Sequence, residues 1–173
     1  TNAITPGTTF MLKLSDYLQK HLPQKIKPFG CRIVLSDTSR PGEGEHKIME
    51  HIRSQKEVFD QKKSLDTVGL DSVSAPTPTT TGTATPVYCI YGLDADLIML
   101  ALCSQSSIFL LRESVHYGGV VDSEELLLFD IAQFKQNMYQ EIQEHSDYLD
   151  FADKQRVTMD YVFLCFLLGN DFL

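Results

Sequence analysis

The apolar positions of the chain predict elements in the order helix, strand, loop and helix. After a turn over residues 5–8, apolar residues recur at helical spacing and predict a helix that ends near Leu22 and Pro23. The short apolar segment 31–35 (CRIVL) then predicts a buried strand. A predicted loop over residues 36–44 leads into the next helix.

The same pattern continues through the second half of the chain. A helix is predicted from Glu45 to about Lys56, with Ile48 and Ile52 facing the core, followed by strands at 87–91 and 108–111, a turn at 92–96 and a buried helix at 97–103. A long helical pattern covers about 123–145, and a last buried helix is predicted from an N-cap at Thr158 to residue 168, with Gly169 as its terminator. Strands that alternate with helices predict an α/β fold with a parallel sheet covered by helices on both faces.

One segment departs from this pattern. Residues 64–86 are rich in Thr, Ser, Pro and Gly, a composition that predicts a flexible surface insertion. A domain boundary is the alternative, but neither side has enough residues for a core of its own. We therefore expect the 173 residues to be part of a single domain. Because the chain starts at Thr1 and stops at two apolar residues, we also expect a fragment of a longer protein.

The composition is that of an ordinary globular protein, with 43% hydrophobic and 22% charged residues. The four cysteines lie in apolar segments without a CxxC pair, which favours buried reduced thiols over zinc ligands. No apolar run approaches the roughly 20 residues that span a bilayer, and no signal peptide opens the chain. We expect a soluble protein without a membrane partner.

The charge balance limits the kind of nucleic-acid binding that is possible. Asp and Glu number 23 against 15 Lys and Arg, a formal net charge of -8, which is the wrong sign for a general basic surface. A nuclease that gathers carboxylates around metal ions remains compatible, because the ions contact the phosphate.

Three groups of acidic residues lie at the ends of predicted elements. They are Glu43 with Glu45, Asp94 with Asp96, and Asp171. Ligands of open parallel sheets bind beyond the carboxyl ends of the strands, and the first two groups each follow a predicted strand. Both pairs are therefore expected to line one crevice.

Each pair has a small residue between two acids. In a near-extended segment, residues i and i+2 point the same way, and Gly44 or Ala95 leaves space for an ion. Crowded carboxylates repel unless a cation neutralises them, and Mg2+ prefers such oxygen ligands. Two ions about 3.5 to 4 Å apart can activate water and stabilise the leaving oxygen of a phosphodiester.

Simpler interpretations stay open for each group. Either pair could favour a helix N-terminus, and Asp171 could be a solvated residue after a helix. Arg40, His46 and Lys47 could reach phosphate oxygens of a substrate, or could only be solvated or balance charge.

At these residues the chain resembles a known family. Residues 41–49 (PGEGEHKIM), 91–100 (YGLDADLIML) and 163–173 (FLCFLLGNDFL), with the opening ITPGT and FM, are similar to the signature blocks of the Xrn/Rat 5′→3′ exoribonucleases. The resemblance covers nearly the whole chain except about 55–86 and the stretch after Gly119.

The resemblance implies a PIN-like, flap-nuclease-related domain that removes mononucleotides from RNA bearing a 5′ monophosphate, in RNA decay. It implies Mg2+, with Mn2+ as the alternative ion, at an acidic metal site whose matching residues are Glu43, Glu45, Asp94, Asp96 and Asp171. Family members also use aspartates and a basic 5′-phosphate pocket from a segment before Thr1. We therefore expect these 173 residues alone to bind metal weakly and to degrade RNA poorly.

Other assignments remain open beside this one. Residues 91–94 and 112–119 look more like the cytoplasmic members of the family, whereas Ser36 and Asp37 look more like the nuclear members, and we favour a cytoplasmic location. The alternative functions are a flap-type DNA nuclease and a degenerate RNA-binding module without catalysis. A phosphatase or glycosyltransferase that uses Asp94 and Asp96 is a further alternative, but a haloacid-dehalogenase-type phosphatase expects Thr or Val soon after the second aspartate, and Leu97 and Ile98 supply no hydroxyl.

Overall fold

The computed structural model describes residues 3–68, 85–92, 94–116, 120–145 and 153–169. Contacts group the chain into two compact units, Thr1–Lys47 and Ile48–Leu173. The prediction that residues 1–173 belong to one domain stays a prediction.

The first unit begins with the predicted helix. Helix α1 spans Thr9–Ile26 and is followed by a short 3-10 turn, Lys27–Phe29. The hydroxyl of Thr8 caps it by accepting from the amide of Met11. The helix runs past the predicted end to Ile26, although Pro23, which removes one backbone donor, lies inside it.

The predicted strand at 31–35 is wrong. These residues are irregular, and the side chains of Val34 and Leu35 are 64% and 38% exposed. Apolar β-branched residues form a strand only where a neighbour supplies the hydrogen-bond ladder, and no strand pairs with this segment in the part of the chain that the structure describes.

Helix α2 starts where the sequence predicts and continues much further, over Gly44–Val68. Ile52 is buried as expected, whereas Ile48 is 38% exposed, so its predicted core position is wrong and Met49 is buried beside Ile52 instead. The predicted insertion begins too early, because residues 64–68 are helical. Residues 69–84 lie outside the described residues.

The second unit contains a mixed three-stranded sheet. Strand β1 (Val87–Tyr91) pairs in parallel with β2 (Ser107–His116), and both confirm predicted strands. Helix α3 (Asp96–Cys103) connects them, as expected. Strand β3 (Val120–Asp130) pairs antiparallel with β2, so the sheet is not wholly parallel.

Strand β3 replaces the first part of a predicted helix. The predicted helix over about 123–145 is wrong up to Asp130, and helix α4 covers only Ile131–Glu144. Leu128 is paired with Leu111 of β2, and the carboxylate of Asp130 accepts from the amides of Ala132 and Gln133. Strand pairing and this cap therefore override a helical spacing of leucines.

Helix α5 covers Lys154–Leu168 and also starts earlier than predicted. Asp153 is its N-cap, whereas Thr158 lies inside the helix and donates its hydroxyl to the carbonyl of Lys154 at 2.9 Å. Gly169 ends the helix as predicted, at a φ of 136°. The predicted burial is wrong for most of this helix, since only Thr158 and Val162 are buried and Phe163 is 63% exposed.

The core of the second unit lies on one face of the sheet. Its most buried members are Ile52, Ala101, Leu102, Ile108, Leu110 and Ile131. On the opposite face, Tyr91 and Leu128 are 60% and 63% exposed. The fold is thus mixed α/β as predicted, but within the described residues helices do not cover both faces of the sheet.

Two further sequence predictions concern cysteines and membranes. All four cysteines are free, but Cys31, Cys89 and Cys103 are exposed and Cys165 is half-buried, so the predicted burial is wrong. None of the helices, within the residues described, is long and apolar enough to cross a membrane.

Candidate functional site

Glu43 and Glu45 lie at the start of α2. The carbonyl of Glu43 accepts from the amide of Lys47 at 3.2 Å, and Gly44 and Glu45 form the first helical turn. The expected extended geometry is wrong here, because residues i and i+2 of a helix point about 200° apart. Glu43 is exposed, with its Oε2 3.4 Å from Nδ1 of His46, while Glu45 is half-buried.

The loop before these glutamates is held by Lys47. Its ammonium group donates to the carbonyl of Asp37 at 3.1 Å and to that of Arg40 at 2.6 Å. Two of the three donors of the ammonium are therefore used within the chain. The side chain of Arg40 is exposed, and Gly42 takes a φ of 102°, which favours glycine. The role of Arg40, His46 and Lys47 toward a substrate stays a prediction.

Asp37 is a polar centre that sequence reasoning missed. Its carboxylate accepts from the hydroxyls of Ser15 and Ser39, from the amide of Ser39 at 2.9 Å and from Nε2 of Gln19 at 3.2 Å. The hydroxyls of Ser15 and Ser39 hold the pKa of Asp37 well below its usual range. The spacing of Asp37 and Ser39 is typical of an Asx turn, which was the available signal.

A groove of about 640 Å3 lies within the first unit, next to Glu43. Leu14, Leu18 and Leu35 form part of its apolar wall, and Asp37 and Glu43 contribute carboxylates. The groove therefore presents charge against an apolar surface, an arrangement typical of ligand pockets.

Asp94 and Asp96 lie between β1 and α3. Oδ1 of Asp94 accepts from the amide of Asp96 at 3.2 Å, whereas the N-cap position of α3 is Ala95, which has no side-chain cap. Ala95 between them is helical, with φ of -66° and ψ of -30°, and not extended as expected. Asp94 is exposed and Asp96 is half-buried in the first turn of the helix.

Glu43 and Glu45 belong to the first unit, whereas Asp94 and Asp96 belong to the second. Across residues 3–68, 85–92, 94–116, 120–145 and 153–169, no three His, Cys, Asp or Glu side chains are arranged to hold a metal ion. Asp171 lies outside these residues. That Glu43, Glu45, Asp94, Asp96 and Asp171 form one metal site stays a prediction. Their oxygen ligands are nevertheless of the kind that Mg2+ prefers.

Comparison with known proteins gives the family of the chain. Residues 1–114, well over half of the chain, match the family described as the XRN 5'-3' exonuclease N-terminus. The chain therefore belongs to this family, which confirms the resemblance found in its signature blocks.

Three similar curated proteins are named as exoribonucleases. The chain is 37% identical to 5'-3' exoribonuclease 1 of Homo sapiens over 186 residues and 35% identical to that of Saccharomyces cerevisiae over 188. It is 36% identical over 182 residues to 5'-3' exoribonuclease 2 of Yarrowia lipolytica. The whole chain is aligned each time, but it spans only 10%, 11% and 16% of these relatives.

Proposed function

We propose that the chain is part of a metal-dependent 5′→3′ exoribonuclease that hydrolyses 5′-monophosphate RNA to mononucleotides in RNA decay. The observation that carries this proposal is the family membership, together with carboxylates at all five positions where the family's acidic site is matched. A PIN-like fold belongs to the same proposal and is consistent with the mixed α/β structure.

The residues proposed to hold Mg2+, or Mn2+ in its place, are Glu43, Glu45, Asp94, Asp96 and Asp171. When bound, such ions activate a water molecule and stabilise the leaving oxygen of a phosphodiester. Asp94 is suited to ligation because its side chain is exposed and the bond to the amide of Asp96 uses Oδ1, which leaves Oδ2 for an ion. The N-terminus of α3 adds positive potential at this turn.

The test separates two roles of Asp94, its hydrogen bond to the amide of Asp96 and its proposed ligation of a metal ion. In the full-length natural protein, Asp94→Asn keeps an oxygen that can accept from the amide of Asp96 but loses the negative charge. We expect at least about a 100-fold loss of RNA hydrolysis, because metal ligands contribute several kcal/mol to the transition state. Asp153→Asn is the matched control, since Oδ1 of Asp153 also accepts from the backbone amide two residues further on, and its activity should stay within about twofold.

The substrates compared are 3′-labelled RNA with a 5′ monophosphate, the same RNA with a 5′ hydroxyl, and a DNA flap, each in Mg2+. The proposal is supported if only the RNA with a 5′ monophosphate is degraded and if Asp94→Ala abolishes this degradation. Preference for the DNA flap would assign a flap-type nuclease. RNA binding in Ca2+ without cleavage in any metal would assign a degenerate binding module.

The proposal includes a cytoplasmic location, on the resemblance of residues 91–94 and 112–119 to cytoplasmic members. Fluorescence microscopy of the tagged natural protein tests it. A signal confined to the nucleus would contradict the location and leave the catalytic proposal intact.

A further inference from the structure

A second concave site lies in the second unit, between helices α4 and α5. It is a cavity of about 410 Å3, within the size range of small-molecule sites. Lys135 and Lys154 line it together with the amide side chains of Gln136 and Gln155. None of its described lining residues is acidic, although the chain carries a net charge of -8. The cavity is therefore locally basic in an acidic protein.

Both lysines are held in place by the fold. Nζ of Lys135 donates to the carbonyl of Ser104 at 2.5 Å, which leaves two of its three donors. Nζ of Lys154 lies 4.7 Å from the ring centroid of Tyr139, a cation–π contact with a buried ring. Positioned ammonium groups lose less conformational entropy when a ligand arrives, which favours binding.

Among the described residues that line the cavity, no carboxylate neutralises the two ammonium groups. Asp153, the N-cap of α5, precedes Lys154 in the sequence. Its Oδ1 accepts from the amide of Gln155 at 2.9 Å. Burial lowers the pKa of Lys135 because desolvation disfavours the charged ammonium, and the nearby Cys103 side chain opposes this effect only in part. An anion that entered the cavity would remove this cost.

We propose that this cavity binds a phosphate dianion, either inorganic phosphate or the terminal phosphate of a nucleotide. Two ammonium groups match the charge of about -2 that a phosphate monoester carries near neutral pH. Lysines act on phosphate as point charges, and the two glutamine amides add donors for the remaining oxygens. Neither lysine is among the residues proposed to hold Mg2+ or to contact the RNA substrate. This site is therefore separate from the proposed catalytic function.

Competitive acetylation of the full-length natural protein tests the proposal. Lysines are labelled with limiting acetic anhydride and quantified by mass spectrometry, with inorganic phosphate, a nucleoside monophosphate, or sodium chloride at the same ionic strength. At a ligand concentration ten times Kd, we expect labelling of Lys135 and Lys154 to slow about tenfold. Lys62, exposed on α2, is the internal control and should not change.

The two ligands distinguish the sources of the phosphate. Equal protection by both assigns a site for free phosphate, and stronger protection by the monophosphate assigns a nucleotide site. Equal protection by RNA that lacks a terminal phosphate would contradict the proposal, because a backbone diester carries a single charge. Protection no greater than with sodium chloride would overturn it.

Variants give a second measurement. The double substitution Lys135→Gln and Lys154→Gln should weaken binding of the protecting ligand, measured by calorimetry, at least about tenfold. Lys62→Gln removes the same charge outside the cavity and should change binding less than about twofold. If the double variant fails to fold, protection of the unmodified protein still decides the proposal.

Discussion

The two units of the chain are stabilised in different ways. The second unit has an apolar core in which Ala101, Leu102 and Ile108 are 1% exposed or less. In the first unit, none of the described residues 3–47 is buried. Its loop is held instead by hydrogen bonds of Asp37 and Lys47. One unit thus depends on packing and the other on polar contacts.

This difference bears on the candidate carboxylates. Asp94 and Asp96 precede a helix whose Leu97, Ala101 and Leu102 are buried, so packing positions that turn. Glu43 follows a loop whose order depends on hydrogen bonds at the surface. We expect substitutions to affect the two pairs differently, through packing for the aspartates and through the polar loop for Glu43.

The largest expected effect comes from the core. Leu102→Ala should lower the free energy of unfolding by about 2–5 kcal/mol, because it leaves a cavity among buried side chains. Urea denaturation of the chain measures the change. Leu12→Ala, on the exposed side of α1, is the control and should cost less than about 0.5 kcal/mol. Equal losses would contradict the contrast between the two units.

The same contrast explains which elements the sequence pattern predicts. Strands β1 and β2 and helix α3 are found as expected, because their apolar residues are buried against one another. The segment 31–35 is just as apolar, yet it is irregular where no neighbouring strand pairs with it. Local composition therefore predicts structure only where tertiary partners are present.

The error at β3 has the same cause. The run Leu126–Leu128 fits a helical spacing, but residues 126–130 pair with β2 and the helix begins only after Asp130. Asp130 is itself a typical N-cap residue, so a boundary signal was present in the sequence. Spacing alone could not choose between the two structures.

For the candidate site, the sequence indicates the chemistry of the residues better than it predicts their backbone geometry. The acidic pairs were expected in extended backbone, but Ala95 is a helical N-cap residue and Glu45 lies in the first turn of α2. Asp37 was not predicted as a polar centre, because the contribution of Ser15 comes from a residue distant in sequence. Long-range polar contacts of this kind leave little trace in hydrophobic periodicity.

A smaller effect is expected at Gly92, beside the packed turn. A Cβ at this position would overlap Cδ1 of Leu97, a buried side chain of α3. Gly92→Ala should therefore destabilise the chain by about 1–3 kcal/mol in urea denaturation. Gly44→Ala is the matched control, since a Cβ there meets nothing within 4 Å and alanine favours the helix. Destabilisation by both would show that packing does not distinguish the two turns.

The polar support of the first unit is tested by Lys47→Met. Loss of the bonds to the carbonyls of Asp37 and Arg40 should destabilise the loop by about 1 kcal/mol, so the amide of Arg40 should exchange about fivefold faster. Lys13→Met, on the exposed surface of α1, should leave this exchange rate unchanged. An unchanged rate in Lys47→Met would show that these bonds do not hold the loop.

The smallest effect is the pH dependence of the same loop. Since the pKa of Asp37 is lowered in the folded chain, its carboxylate stabilises the loop above the ordinary value of about 3.9. That stabilisation is lost as the pH falls from about 4 through the lower folded pKa. Carbon NMR of the Asp37 carboxyl should therefore give a midpoint below 3.9, and a midpoint at or above it would contradict the hydrogen-bond network.

Hydrogen exchange of the Ser39 amide tests whether the titration of Asp37 affects the first unit and not the second. Asp37→Asn should speed that exchange at neutral pH, and its difference from the unmodified chain should shrink below about pH 4. The buried polar side chains among the described residues are Ser114 and Thr158, which do not titrate in this range. The amide of Leu102 should therefore keep its relative protection as this network weakens, because acid removes a hydrogen-bonded carboxylate from the first unit, whereas the buried cluster around Leu102 is made of apolar side chains.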